Sequence, residues 1–137
     1  MRSLIAFVFA FGLVLSVPVV IEVRAAGSLV PDRADDSDTA AGKAAIKAEK
    51  WQVAIDHFTK VVGREPKNAD AQNYLGFAYR KLGSLEAAFR HYAVALQLDP
   101  AHKAARAYVG EAHIEANQLD KAEQQFEALK KLCAFCE

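Results

Sequence analysis

The chain has 137 residues, 53% of them hydrophobic, with 17 basic and 17 acidic side chains. That length holds one small domain, and the charge balance excludes a non-specific binder of nucleic acid or acidic membranes, which needs a basic excess. Beyond residue 25 alanine is abundant and β-branched runs are nearly absent, a composition that predicts an all-α fold.

The first element is a processing segment. Met1 and Arg2 give a positive start, residues 4–17 are apolar apart from Gly12 and Ser16, and Pro18 precedes Val23-Arg24-Ala25, which suits a signal peptidase. Export to the periplasm with cleavage after Ala25 is the expectation. An uncleaved membrane anchor is the alternative, because residues 4–21 approach the length that spans a bilayer. Residues 26–37, with Pro31, Asp35 and Asp36, read as a flexible acidic linker leading to a helical domain over 38–137.

From there the sequence repeats every 34 residues. "LGFAYRKLG" at 75–83 aligns with "AGKAAIKAE" at 41–49 and "VGEAHIEAN" at 109–117, which makes Gly42, Gly76 and Gly110 equivalent. Ala54, Ala88 and Ala122 follow each glycine at one spacing, and Phe58, Tyr92 and Phe126 at another. Trp51, Leu85 and Leu119 form a further set, and Pro66 and Pro100 close the first two units. In the central unit Ala71, Leu75, Ala78 and Leu82 form one apolar helical stripe. A break at Gly83-Ser84 separates it from a second, Leu85, Ala88, Tyr92, Ala95 and Leu96, which stops at Asp99-Pro100. Each unit, about 35–68, 69–102 and 103–136, therefore predicts a helix-turn-helix hairpin that must stack on its neighbours to bury its stripes.

These repeated residues resemble the tetratricopeptide repeat, over nearly all of the chain beyond the linker. The resemblance implies an α-solenoid of about three stacked hairpins in a right-handed superhelix, with Gly76 and Ala88 meeting across the central hairpin and Tyr92 between units. It also implies that the first helix of each hairpin lines a concave groove. Lys43, Lys47, Asn73, Phe77, Arg80, Lys81, Glu111, Ile114 and Glu115 fall at the groove positions, in an order that runs from basic to acidic. Asn73 offers both a donor and an acceptor to a peptide backbone. The Lys and Asn clamp with which some family members hold a chaperone's C-terminal carboxylate is largely missing, since Thr39, Lys43, Ala104 and Tyr108 stand at its places.

The chain ends on "CAFCE", with Cys133 and Cys136 spaced for a local disulfide, which export to an oxidising compartment favours. Thiol exchange with a partner is the sharper alternative. A haem attachment would need His where Glu137 stands, and a zinc site needs further ligands at ligand spacing. His57 and His91, equivalent by the repeat, read as solvated residues on an outer ridge. No catalytic spacing, phosphate loop or paired acids appear, so no enzyme and no cofactor is expected. The function read from the sequence is an exported scaffold that binds a protein or peptide segment and no nucleic acid. The alternative is a thiol-active assembly factor using Cys133 and Cys136. Self-association through an uncapped end at Leu132 and Phe135 is compatible with either.

Overall fold

The structure, a computed structural model, describes residues 32–133, with side chains from residue 37 onward. The signal segment and its cleavage point, residues 26–31 of the linker, Phe135 and Cys136 lie outside the described residues. Six helices follow in order: α1 (Asp32–Lys47), α2 (Trp51–Arg64), α3 (Ala69–Lys81), α4 (Leu85–Leu98), α5 (Lys103–Glu115) and α6 (Leu119–Cys133). The described residues contain no strand. α1 starts within the stretch read as linker, so that reading is corrected from Asp32 onward. A run of acids suits the partial positive charge at a helix N-terminus.

The helices pair as three hairpins, α1 with α2, α3 with α4 and α5 with α6, which stack through α2 on α3 and α4 on α5. One turn is used in all three hairpins. Ser84 N–H donates to Tyr79 O at 2.9 Å and Gly83 N–H to Arg80 O at 2.9 Å, a closing motif that places Gly83 in the left-handed region at φ 79°. Lys50 to Ala45 O and Glu49 to Ile46 O repeat it in the first hairpin, as do Gln118 to His113 O and Asn117 to Ile114 O in the third. Glu49 (φ 55°) and Asn117 (φ 56°) take the glycine's conformation. The first hairpin has no glycine there and still makes the turn. A left-handed non-glycine residue costs roughly 1–2 kcal/mol, less for asparagine.

The core forms around two rings. Phe58 is fully buried among Ala54, Ile55, Val61, Ala71, Leu75 and Ala78, and Tyr92 among Ala88, Val109 and Ala112. Burial of a side chain such as Phe58 or Leu75 stabilises by about 1.5–3 kcal/mol. The glycines explain how the rings fit. A Cβ on Gly42 would stand 2.7 Å from Phe58 Cε2, and one on Gly76 would stand 2.6 Å from Tyr92 Cδ1 and Cε1. The nearest approach to Gly76 is thus made by the ring of Tyr92 in its own hairpin. The third hairpin departs from this pattern. Nothing comes closer than 3.7 Å to a Cβ on Gly110, and Phe126 is 59% exposed instead of covering that glycine.

A polar link also recurs at the repeat period. His57 Nδ1 donates to Asp38 Oδ1 at 2.8 Å, His91 Nδ1 to Gln72 Oε1 at 2.8 Å, and Arg106 Nη1 to Gln125 Oε1 at 3.4 Å. Each joins the first helix of a hairpin to the second at equivalent positions. His57 and His91 are thus half-buried clasps and not solvated ridge residues. Helix starts repeat as well: Asn68 Oδ1 accepts from Ala71 N–H, and His102 Nδ1 accepts from Ala105 N–H. With that nitrogen accepting, His102 Nε2 carries the proton and donates to Asp70 Oδ1 at 3.0 Å, which ties the start of α5 to the first turn of α3. Pro66 and Pro100 lie exposed in the connections between hairpins.

Candidate functional site

α3 packs on α5 as well as on its own hairpin partner, so the first helices of the second and third hairpins stand side by side, and α1 reaches α3 through Lys43 over the ring of Tyr74. Lys43 and Lys47 come from α1, Asn73, Phe77, Arg80 and Lys81 from α3, and Glu111, Ile114 and Glu115 from α5. Between α3 and α5 lies a compact arrangement of charges and rings. Arg80 Nη2 is 2.6 Å from Glu111 Oε2, and Nη1 is 2.5 Å from Glu115 Oε1. The guanidinium also lies against Phe77 and Tyr108, 5.5 and 5.8 Å from their centroids, and those two rings are 4.9 Å apart. Only 3% of the Arg80 side chain is exposed. Burial pulls its pKa down, but Tyr92, Glu115 and Glu111 outweigh that and the net shift is upward. Burial likewise pushes the Tyr92 hydroxyl up, against the opposing pull of Arg80.

This arrangement changes the reading of the face. Arg80 was expected among the cations offered to a ligand, but it is buried and joins the second hairpin to the third. The run from basic to acidic is broken there, because Arg80 is engaged with Glu111 and Glu115. Exposed cations remain at Lys43, Lys47 and Lys81. Lys43 stands 5.4 Å from the Tyr74 centroid and Lys81 5.5 Å from that of Phe77, so both ammonium groups ride on aromatic rings. Trp51, at the start of α2, meets Phe77 edge-on at 6.0 Å. Asn73 is buried, and its Oδ1 has no hydrogen-bond partner among the described residues. A buried acceptor without a partner is costly, and at 3% exposure Asn73, like Arg80, is covered by its neighbours and not offered to a ligand, which corrects its place among the groove contacts.

The sequence places Tyr108 at a clamp position and Trp51 in a repeat set with Leu85 and Leu119, but neither among the groove contacts. Tyr108 carries a further signal, its equivalence with Tyr74 in the repeat; Trp51 belongs to the second helix, and its repeat set says nothing of a floor. At the far end a cavity of about 230 Å³ opens between α5 and α6, lined by Ala107, Gly110, Ile114, Ala122, Phe126 and Leu129. Cys133 is exposed at the end of α6; its proposed partner Cys136 lies outside the described residues. Among the described residues, no group of three His, Cys, Asp or Glu side chains stands together as a metal site would need, and no helix is long and apolar enough to cross a membrane.

Two family models, both described as tetratricopeptide repeat, match residues 39–103 and 79–132 and together span all three hairpins. Among solved structures, the chain is similar to the TPR2B domain of yeast Sti1 in its pHsp70 complex, at 22% identity and a TM-score of 0.71 over 73% of this chain and 80% of that one. It is similar to the second TPR of Spaghetti (RPAP3) bound to the HSP90 peptide SRMEEVD, at 26% identity and a TM-score of 0.69 over 74% of this chain and 94% of that one. A mutant of MamA is similar at 21% identity and a TM-score of 0.67, over 73% of each chain. No curated protein matches in sequence.

Proposed function

The chain belongs to the tetratricopeptide repeat family, and from that premise we propose that it is a non-enzymatic scaffold that holds a partner polypeptide on the face formed by α1, α3 and α5. The observation that carries this reading is the floor of that face: Phe77 and Tyr108 in ring contact, Lys81 over the ring of Phe77, Lys43 over that of Tyr74, and Lys47 exposed on α1. Aromatic surface gives an apolar anchor, and the lysines favour an acidic segment. Two similar structures are complexes, one with pHsp70 and one with the HSP90 peptide SRMEEVD, which supports a peptide partner here as well. The positive start, apolar core and small-residue exit of residues 1–25 support export, and with it work in the periplasm or cell envelope.

The test is affinity capture from envelope extract with the wild-type chain and with a triple variant, Lys43→Glu, Lys47→Glu and Lys81→Glu. Arg80 is left intact, because reversing a buried cation would disturb the fold. Capture is expected to fall at least tenfold while the far-ultraviolet helical signal stays the same. Equal capture by the two proteins rejects the face as the binding site.

A further inference from the structure

The internal junctions of the stack follow one pattern. Where α3 seats on the first hairpin, Phe58 lies over Gly42 and Tyr74 stacks on it at 4.7 Å and 16°. Where α5 seats on the second, Tyr92 lies over Gly76 and Tyr108 closes on it at 6.4 Å. The same features on the third hairpin have no incoming helix among the described residues: a Cβ on Gly110 would meet Gln125 Cβ at 3.7 Å and Ala122 O at 3.9 Å and no aromatic ring, Phe126 stands out, and the apolar cavity between α5 and α6 lies beside it.

The opposite end of the stack offers the counterpart. α1 presents Ala40 and Ala44, both exposed, at the positions where α3 carries Tyr74 and Ala78 and α5 carries Tyr108 and Ala112. An alanine at the first of these leaves room for an outstanding Phe126. The charges also agree. Arg80 lies between Glu111 and Glu115 of the next hairpin. One repeat further along, Ile114 takes the place of Arg80, and an arriving α1 would bring Lys43 and Lys47 to the places of Glu111 and Glu115. The receiving face holds two carboxylates, 51% and 45% exposed, against the single guanidinium of Arg80, so a negative charge is left over for those exposed lysines. Complementary charge sets partner and register.

We infer that the chain associates with itself head to tail, the α1 face of one copy seating on the α5–α6 face of the next. The contact is heterologous and therefore leaves a free head and a free tail on every assembly, so it can extend. It does not rest on the peptide-binding reading, although Lys43 and Lys47 serve both; Phe126→Glu, which lies outside the peptide face, tells the two apart.

Sedimentation velocity on the full-length chain over a wide concentration range tests it. Phe126→Glu disables the tail and Ala44→Glu the head; both positions are exposed, and circular dichroism checks that helicity is kept. The wild type is expected to grow in size with concentration and to dissociate as salt is raised. Each variant alone should associate at least tenfold more weakly. An equimolar mixture of the two should give a one-to-one dimer and nothing larger, because one intact head and one intact tail remain. A wild type that is monomeric throughout, as when another segment of the same chain covers Phe126, overturns the inference. So does association that neither substitution weakens, as the apolar residues 4–21 would produce. A dimer lost in Phe126→Glu but kept in Ala44→Glu would be tail to tail, and overturns it too.

Discussion

The ring of Tyr92 lies against Gly76 so closely that any Cβ there would overlap Cδ1 and Cε1, whereas Gly110 has no such neighbour. Two equivalent glycines should thus answer the same substitution in opposite directions. Gly76→Ala forces a fully buried ring to move and is expected to lower stability by about 2 kcal/mol. Gly110→Ala only removes backbone freedom from a helix and should raise stability by about 0.5–1 kcal/mol. Urea denaturation of the two variants checks both signs. The equivalence of Gly42, Gly76 and Gly110 was legible in the sequence, since it rests on spacing. The difference at Gly110 was not. Whether an aromatic settles over its glycine depends on the helix that holds it down from the other side, and at Phe126 no such helix stands among the described residues. Arg80 was misread for a related reason: a helix face shows which residues share a side, not which of them the neighbouring helix covers with Glu111 and Glu115.

At the level of a hairpin, the turn and the clasp each lead to a measurement. Glu49 holds a left-handed conformation at the place where the second hairpin has Gly83. Glu49→Gly is expected to stabilise by roughly 0.5–1 kcal/mol, the relief of the left-handed side chain less the entropy glycine adds to the unfolded chain, read from the shift in thermal midpoint. The clasp of the second hairpin responds to pH. His91 is stacked on Tyr79, centroids 5.3 Å apart at 3°, and its pKa is depressed below 6.5 by burial first and by the nearby Arg90 second. The unfolded chain therefore binds this proton more readily than the folded one. Stability is full above pH 6.5 and declines as the pH falls through 6.5 toward the lower folded value. Asp38 in the first hairpin is held below 3.8, by the hydrogen bond from His57 first and that from Arg64 second, so its contribution is lost only at pH below 3.8. Urea midpoints measured at pH 7.5 and 5.5 should thus fall, and His91→Gln should remove part of that fall while Asp38→Asn does not. These links were hidden in the sequence because the three pairs share positions but not chemistry: acid with imidazole, amide with imidazole, guanidinium with amide.

Over the whole molecule, order is greatest in the middle. α2, α3, α4 and α5 each bury several side chains, whereas none of α6 is fully buried. Native-state hydrogen exchange should show the slowest amides in α3 and α4 and the fastest helical amides in α6. Equal protection along the stack would mean that something covers the third hairpin in solution. The stacked architecture was the most legible feature of all, because a hairpin with two apolar stripes has no way to bury them except against another hairpin. The partner face was legible only as a set of positions.

Three near-copies in one chain create a hazard of mistaken pairing, in which a second helix closes on the wrong first helix, within a molecule or between two. Asp38 draws His57, Lys60 and Arg64, all on α2. The equivalent place on α5 is Arg106. Laid on α5, α2 would bring its cations against a cation, and α6, which brings Gln125, would leave Asp38 without a counter-charge. Side chains that look like tolerated drift between copies thus act as an address, so that the opening helix of the array accepts its own neighbour in sequence and turns away the helix two hairpins on.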